Sequence, residues 1–593
     1  MNKTALTKTY TKDIQNSCLN SKKIVLSLAA ISFSASCTHA TLTPEIETYE
    51  EATNRHTKAR SASRSTDSNN KTTISSLQNS TQTVSNTGNT LVIESSGTIT
   101  ISNGGQQAVN FTQGSSTSTF LNKGTLIGGN NAASVQLGAS NNNGVTIETF
   151  NNQGIIGNGS SKFGVTVWGT NSSKSTINNF SNNGTIHSNA GESIYFGNAN
   201  ISSFANSGTI KSKQGTGVNI SQGTSIENFN NTGTIEGRMG VNVRSTINTF
   251  VNDGLIAATN DGIQINTNAN VKTLINKGTI QGFSAPIKSS GGTIETLTNE
   301  GTMKGESIGI YMNRGFVKTL TNSGTINQNN SATWAAGIKL ENGSTIENII
   351  NTGSIHSNAF GISVTDGKFG TLTIKDGGMV YAKYAAIGVG QSQTLGDLYI
   401  DGSLNNGRVS GIYSEEHGIL LENNSRTQKI ELKNGGIIKG KIDGIRLTDS
   451  ASLSGEMILS GEGSRVEGGS AAGILNRSGK ITGSITIKDG ATVTATSNRA
   501  IVNHRSGSIT GGITVSGKNT KLQGNIINMG NASIGSDIKI EDGAKVEGGL
   551  VNQDNGAISG SITVDKNSKL DSITNTSTSS TGISGSITNN SDN

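Results

Sequence analysis

Phe120-Leu121-Asn122-Lys123-Gly124-Thr125-Leu126 is the stretch that decides the fold, because it returns. The same frame starts again at Phe150, Phe180, Phe204, Phe229, Phe250, Leu274, Leu297, Leu320 and Ile349, at intervals of 21 to 30 residues. In all ten copies the third residue is Asn: Asn122, Asn152, Asn182, Asn206, Asn231, Asn252, Asn276, Asn299, Asn322 and Asn351. The fifth is always Gly, and the seventh is Leu, Ile or Met. A period of this size, held through ten copies, is the mark of a stacked repeat in which each unit buries its apolar side against the next.

The chemistry of the frame predicts strands. Its first, third and seventh positions share parity, so the two apolar residues and the Asn project to one side of an extended chain. Abundant β-branched residues and Gly, with no sustained 3.6-residue period, argue against helix. The Gly is expected to supply a positive φ or a tight corner. A second apolar strip lies between frames, as in Gly217-Val218-Asn219-Ile220, Gly262-Ile263-Gln264-Ile265 and Gly337-Ile338-Lys339-Leu340. A third precedes each frame, as in Ser225-Ile226. Its Ile stands three residues before the aromatic, so the parity breaks and a corner or bulge is needed there.

Three short strands and three corners in about 24 residues make one rung of a solenoid. The expected fold is therefore all-β, a right-handed parallel β-helix of about twenty rungs, on the order of 95 Å long at ~4.8 Å per rung. The recurring Asn is expected to stack as a hydrogen-bonded structural ladder and not to contact a ligand. After Ile374 the wording changes to Gly483-Ser484-Ile485-Thr486-Ile487, Gly512-Ile513-Thr514-Val515 and Gly560-Ser561-Ile562-Thr563-Val564, at a similar spacing. The organisation read from this is a leader over 1–40, a polar linker over 41–85, Asn-frame rungs over 86–374 and Gly-Ser-Ile-Thr-Ile rungs over 375–593. The last rung opens at Gly585 and stops at Asn593, with no polar cap evident; a fragment of a longer protein or a truncated product is expected.

Composition removes other classes. The 593 residues include 78 Gly but only 2 Pro, and collagen needs Gly in every third position with abundant Pro. Disorder is opposed by 32% apolar residues that recur in register. The net charge is +6, but residues 1–40 hold five Lys against one Asp. A nearly neutral body offers nucleic acid no electrostatic footprint.

The leader reads as a signal peptide: Lys22-Lys23, an apolar run from Ile24 to Ala35, then small residues to Ala40. A run of about 12 residues is too short to span a bilayer. Cleavage after Ala40 is expected. The alternative is lipidation at Cys37, where Ser34-Ala35-Ser36-Cys37 approaches a lipobox but has Ser34 in place of Leu. Cys18 and Cys37 are the only cysteines, so the mature body forms no internal disulfide, which suits a chain exported unfolded.

With its polar extension before Lys22 and its Asn-Gly-Thr-Ile rungs, the chain resembles autotransporter (type V secretion) passenger domains, particularly Campylobacter and Helicobacter adhesins of the Campylobacter adhesion protein type. The resemblance implies export, display at the cell surface through an outer-membrane β-barrel translocator, and contact with host cells or extracellular matrix. That family's C-terminal barrel, read as ~10-residue alternating segments with aromatic girdles, has no counterpart before Asn593. A separate or missing segment is expected to supply it, as in a split gene.

No constellation points to catalysis, a cofactor or a metal. Glu415-Glu416, a dense acidic pair within the rungs, is expected in a solvated loop. Gly305-Glu306-Ser307-Ile308-Gly309 matches a nucleophile motif without its strand-to-helix elbow, and Gly191-Glu192-Ser193-Ile194 lacks the final Gly. His187 and His356 share a repeat position but stand rungs apart, and no His pair has metal-ligand spacing. Trp168 and Trp334 interrupt repeats and are expected to pack, with protruding contact loops as the alternative. Arg55, Lys58, Arg60 and Arg64 could form a basic patch, though a solvated linker is the simpler reading. A surface adhesin is expected, with a β-helical polysaccharide lyase or hydrolase as the rival.

Overall fold

The computed structural model describes residues 64–66, 70–85, 88–139, 143–328, 335–403 and 407–591, all within the second of two units, Ala62–Asn593. Among them there is no helix; the chain is a parallel β-solenoid of about twenty turns. Each turn carries three strands. In one turn these are Ser175–Asn182, Thr185–Ser188 and Ile194–Gly197. Every strand pairs with its equivalent one turn away, so that Phe150, Phe180 and Phe204 lie in one column and Ile186, Ile210 and Ile235 in another. We call the three stacks the first, second and third faces, in chain order.

Alternation explains the core. Ile177, Phe180 and Asn182 point inward from the first face, Ile186 from the second, and Ile194 and Phe196 from the third, all essentially without solvent exposure. The frame aromatics form a continuous stack from Phe120 to Phe250, with ring centroids 4.3 to 5.3 Å apart. Leu274, Leu297, Leu320 and Ile349 extend the same column. Burying one such side chain is worth about 1.5–3 kcal/mol, but a single rung leaves both its flanks open. Stability therefore comes from stacking.

The parity break falls inside a strand. In Ser175–Asn182, Asn178 and Asn179 both face outward between buried Ile177 and Phe180, and the pairing register skips Asn178. The bend repeats in every turn from Ser116–Asn122 through Arg426–Lys433 and then opens into a gap between two short strands, first between Ser452–Leu453 and Met457–Ser460. Glycines occupy that gap. A Cβ on Gly483 would stand 1.8 Å from the Gly455 carbonyl oxygen, and one on Gly585 would stand 2.0 Å from that of Gly560. This close approach of successive rungs accounts for the Gly-Ser-Ile-Thr-Ile wording. From Thr492–His504 onward the second and third strands of a turn fuse into one.

Two expectations are corrected. The linker over 41–85 is shorter than expected: Lys71–Ile74, Leu77–Gln78 and Gln82–Val84 already form a rung, and Arg64–Thr66 pairs antiparallel to its first strand. Buried Ile74 and Val84 are few enough for the stretch to read as polar. The ten frame glycines do not take positive φ. They are required because a Cβ would meet a carbonyl in the preceding rung, as at Gly233, where it would stand 2.2 Å from the Gly208 oxygen. The left-handed residues lie instead in turns between the third and first faces, such as Asn342-Gly343, and, in the later rungs, between the first and second faces, such as Asp376-Gly377 and Asp489-Gly490.

Candidate functional site

The ten frame Asn residues form one buried ladder. Each Nδ2 donates to the Oδ1 of the next, from Asn122 to Asn351, at 2.7 or 2.8 Å. Nδ2 also donates to backbone carbonyls, as Asn252 does to Gly254 and Thr279. The ladder is directional. Asn351 ends it by donating to the Gly353 and Met379 carbonyls, whereas Asn122 Oδ1 begins it without a partner, facing the Ile93 position of the preceding rung. A second ladder runs down the third face through Asn476, Asn503, Asn528, Asn552 and Asn575, at 2.8 or 2.9 Å. Its first acceptor, Asn476 Oδ1, is likewise unpartnered. These buried chains hold rungs in register and present nothing to a ligand.

Between the two ladders the third face carries ionisable groups, several of them buried. Strands Phe360–Val364, Ala385–Val389, His417–Leu421 and Asp443–Thr448 lie in successive rungs. His417 and Asp443 occupy the first position of their strands, where other rungs have Ala336, Phe360, Ala385 and Ala472. His417 Nδ1 lies 3.2 Å from Asp443 Oδ2, close but not aligned as a hydrogen bond. Arg446 Nη1 is 3.7 Å from the same oxygen, and the Ala472 N–H donates to Asp443 Oδ1 at 3.1 Å. Tyr384, partly exposed, sets its ring edge-on to both Phe360 and His417.

The outward column of these strands runs Tyr311, Lys339, Ser363, Gly388, Leu420 and Arg446. Ser363 and Gly388 are too small to fill their places, and a cleft of about 270 Å³ opens over them. Phe360 lies against Gly388, where an added Cβ would stand 2.6 Å from its ring. Lys339 stands at one end, its ammonium 2.5 Å from Glu341, which accepts from the Tyr311 hydroxyl at 2.7 Å. Burial and that carboxylate push the Tyr311 phenol up to about 12. Glu422 stands at the other end. Burial, reinforced by the charge of Asp449, holds its carboxyl above the ordinary range against the opposing pull of Arg446 and His417.

The cleft rim is strained. Gln391-Ser392, Asn423-Asn424 and Asp449-Ser450, turns of three successive rungs, each place two non-glycine residues at φ between 50° and 65°. Other turns between the third and first faces hold a single such residue, as at Asn268, Arg314 and Arg505, or pair it with glycine, as in Asn342-Gly343. A left-handed residue with a Cβ costs about 1–2 kcal/mol, and strain of this kind collects at functional sites. The turns support one another: the Ser392 N–H donates to the Asn423 carbonyl at 2.7 Å and the Asn424 N–H to that of Asp449 at 3.0 Å.

The other sequence candidates do not converge on this place. Glu415 pairs with Lys441 and accepts from the Tyr381 hydroxyl, both of which hold its carboxyl below the usual range, while Glu416 lies in the corner beyond. Ser307 is buried in the corner between Thr302–Gly305 and Ile308–Asn313, with no elbow. Ser193 is buried and shares a hydrogen bond with Ser188. His187 and His356 occupy one outward column of the second face, seven rungs apart. Burial lowers both imidazoles, with help from Lys211 and Lys213 at His187 and from Lys383 at His356. Trp168 ends strand Phe163–Trp168 and packs on Tyr195, with ring centroids 4.4 Å apart. Among the described residues no group of three His, Cys, Asp or Glu could hold a metal, and no helix is long and apolar enough to cross a membrane. Ala40, Cys37, Arg55, Lys58, Arg60 and Trp334 lie outside the described residues, as does the Arg64 side chain.

Sequence reasoning missed the cleft, although one signal was available. Aligning the Gly-Ile strips places ionisable His417 and Asp443 ahead of Gly418 and Gly444, where Ala336 and Ala472 stand ahead of Gly337 and Gly473. Compared with models of known families, with curated proteins and with solved structures, the chain matches none.

Proposed function

We propose that this chain is a non-catalytic, surface-displayed binding rod, an adhesin that engages host cells or extracellular matrix through many weak contacts. The observation that carries the reading is the first face. Thr249, Thr273, Thr296 and Thr319 follow one another in register, beside a column running Thr246, Asn270 and Thr293. Short hydroxyl and amide side chains recur down these columns, with exposed Lys272, Glu295 and Lys318 between them, and such a repeated polar surface suits a repetitive partner, where linked weak sites gain avidity without a deep pocket. The leader read over residues 1–40 supports export, and display would need an outer-membrane barrel from another segment. The test is attachment of the purified chain to epithelial cells and to immobilised matrix proteins. Saturable binding that weakens when Thr273 and Thr296 are both replaced by Glu supports the reading; no attachment to either surface sinks it.

A second reading, a β-helical polysaccharide lyase or hydrolase, is favoured by one feature, the Glu422 carboxyl held above its ordinary range in a cleft, as a general acid would be. Release of reducing ends from a polysaccharide panel, abolished in Glu422→Gln, would replace the first reading with this one.

A further inference from the structure

We propose that the third-face cleft over Ser363 and Gly388 is a subsite for a single hexose-sized sugar ring, neutral or amine-bearing, within a glycan; the proposal rests on the binding reading above. Three independent features converge on this place. Its size is one: a volume of about 270 Å³ suits one ring with its substituents and not a peptide segment or an extended lipid. Its lining is another. Phe360 and Leu420 provide an apolar wall while Lys339, Gln391, Glu422 and Asn423 provide donors and acceptors around it, which matches a pyranose with its apolar face and rim of hydroxyls. The third is the rim, whose turns at Gln391-Ser392 and Asn423-Asn424 each hold two non-glycine residues at positive φ and bring Gln391 and Asn423 to the cleft lining.

Charge selects among sugars. Lys339 and Glu422 are the charged residues of the cleft lining, and Lys339 is already paired with Glu341. A uronic or sialic acid would set a carboxylate beside Glu422 with the lining's cation already engaged, whereas an amine would meet that carboxyl. The ring is therefore expected to be a hexose or hexosamine.

The test uses the full chain and saturation-transfer NMR with methyl glucoside, methyl galactoside, methyl N-acetylglucosaminide, glucosamine and methyl glucuronide. Gly390→Leu is the filling variant. A Cβ there meets only Glu422, at an ordinary 3.8 Å, so the added side chain occupies the cleft without displacing backbone. Phe360→Leu removes the aromatic wall. At least one uncharged or amine-bearing probe is expected to show transfer, weakened by about tenfold or more in Gly390→Leu and reduced in Phe360→Leu, with circular dichroism unchanged. No transfer from any probe, transfer untouched by both variants, or a preference for the glucuronide overturns the proposal. Cell attachment without glycoside binding discards the subsite and leaves the binding rod, whereas glycoside binding without attachment does the reverse.

Discussion

Replacing one Asn in the middle of the first ladder should cost far more than replacing the first. Asn122 and Asn252 are equally buried, so the burial of a substituted Leu is comparable at both. The hydrogen-bond consequences differ. The intact ladder has nine side-chain bonds and one unpartnered acceptor, Asn122 Oδ1. Asn122→Leu removes one bond and passes the orphan to Asn152, so the number of orphans does not change. Asn252→Leu breaks the bonds from Asn231 and to Asn276 and leaves Asn276 Oδ1 as a second buried orphan. At about 1 kcal/mol for the additional bond and about 1–3 kcal/mol for the stranded acceptor, the interior change should exceed the terminal one by roughly 2–4 kcal/mol. A solenoid opens locally, so a single melting temperature would blur the effect. The assay is native-state hydrogen exchange, comparing opening free energies of the rungs flanking each substitution. Equal losses at the two positions would refute the directional ladder as a source of stability.

Other consequences follow from the same geometry. Gly233→Ala drives a Cβ to 2.2 Å from the Gly208 oxygen and should separate the rungs, abolishing protection locally, whereas Gly343→Ala meets nothing within 4 Å and should cost only about 1 kcal/mol for its positive φ; limited proteolysis of the two variants checks the contrast. Because the Glu422 carboxyl is raised on folding, the folded chain holds its proton more tightly than the unfolded chain. Its contribution is therefore fully present below the ordinary carboxylate range and is lost as pH rises through the elevated folded value. Exchange protection of His417–Leu421 should fall across that interval in the native chain and stay flat in Glu422→Gln. Glu341→Gln removes the carboxylate bound to the Tyr311 hydroxyl and should bring that phenol down from about 12, seen as phenolate absorbance appearing at lower pH.

What could be read from the sequence was whatever repeated. The Asn at the third frame position and the Gly at the fifth survive ten copies because each is fixed by the neighbouring rung, one through its amide and one through a carbonyl that tolerates no Cβ. The second ladder was hidden for a physical reason. Its Asn residues stand on another face, behind Ile474-Leu475, Ile501-Val502, Ile526-Ile527 and Leu550-Val551, and the next Gly stands two to four residues on, without the fixed spacing that made the first frame conspicuous. The cleft was hidden more deeply, because it depends on two residues that are merely small, Ser363 and Gly388, and becomes visible only when the outward column is assembled across rungs.

The two ladders do not overlap, and the interval between them is where the candidate site lies. On the first face the ladder column passes from Asn351 to Ile374, Ile400 and Leu432. On the third face Val364, Val389, Leu421 and Leu447 precede Asn476. Over these rungs no amide chain holds the register, and apolar packing alone tolerates substitution and slippage better than a polar network does. The buried Asp443 contacts to His417, Arg446 and the Ala472 N–H span the neighbouring rungs and can specify alignment there instead. A polar network of this kind need not be uniform from rung to rung, as an Asn ladder must be, so this interval can accept the unequal side chains that a cleft requires. The break between the ladders thus makes a local site compatible with an otherwise monotonous rod, and loss of Asp443 should disturb the cleft and the rung alignment together.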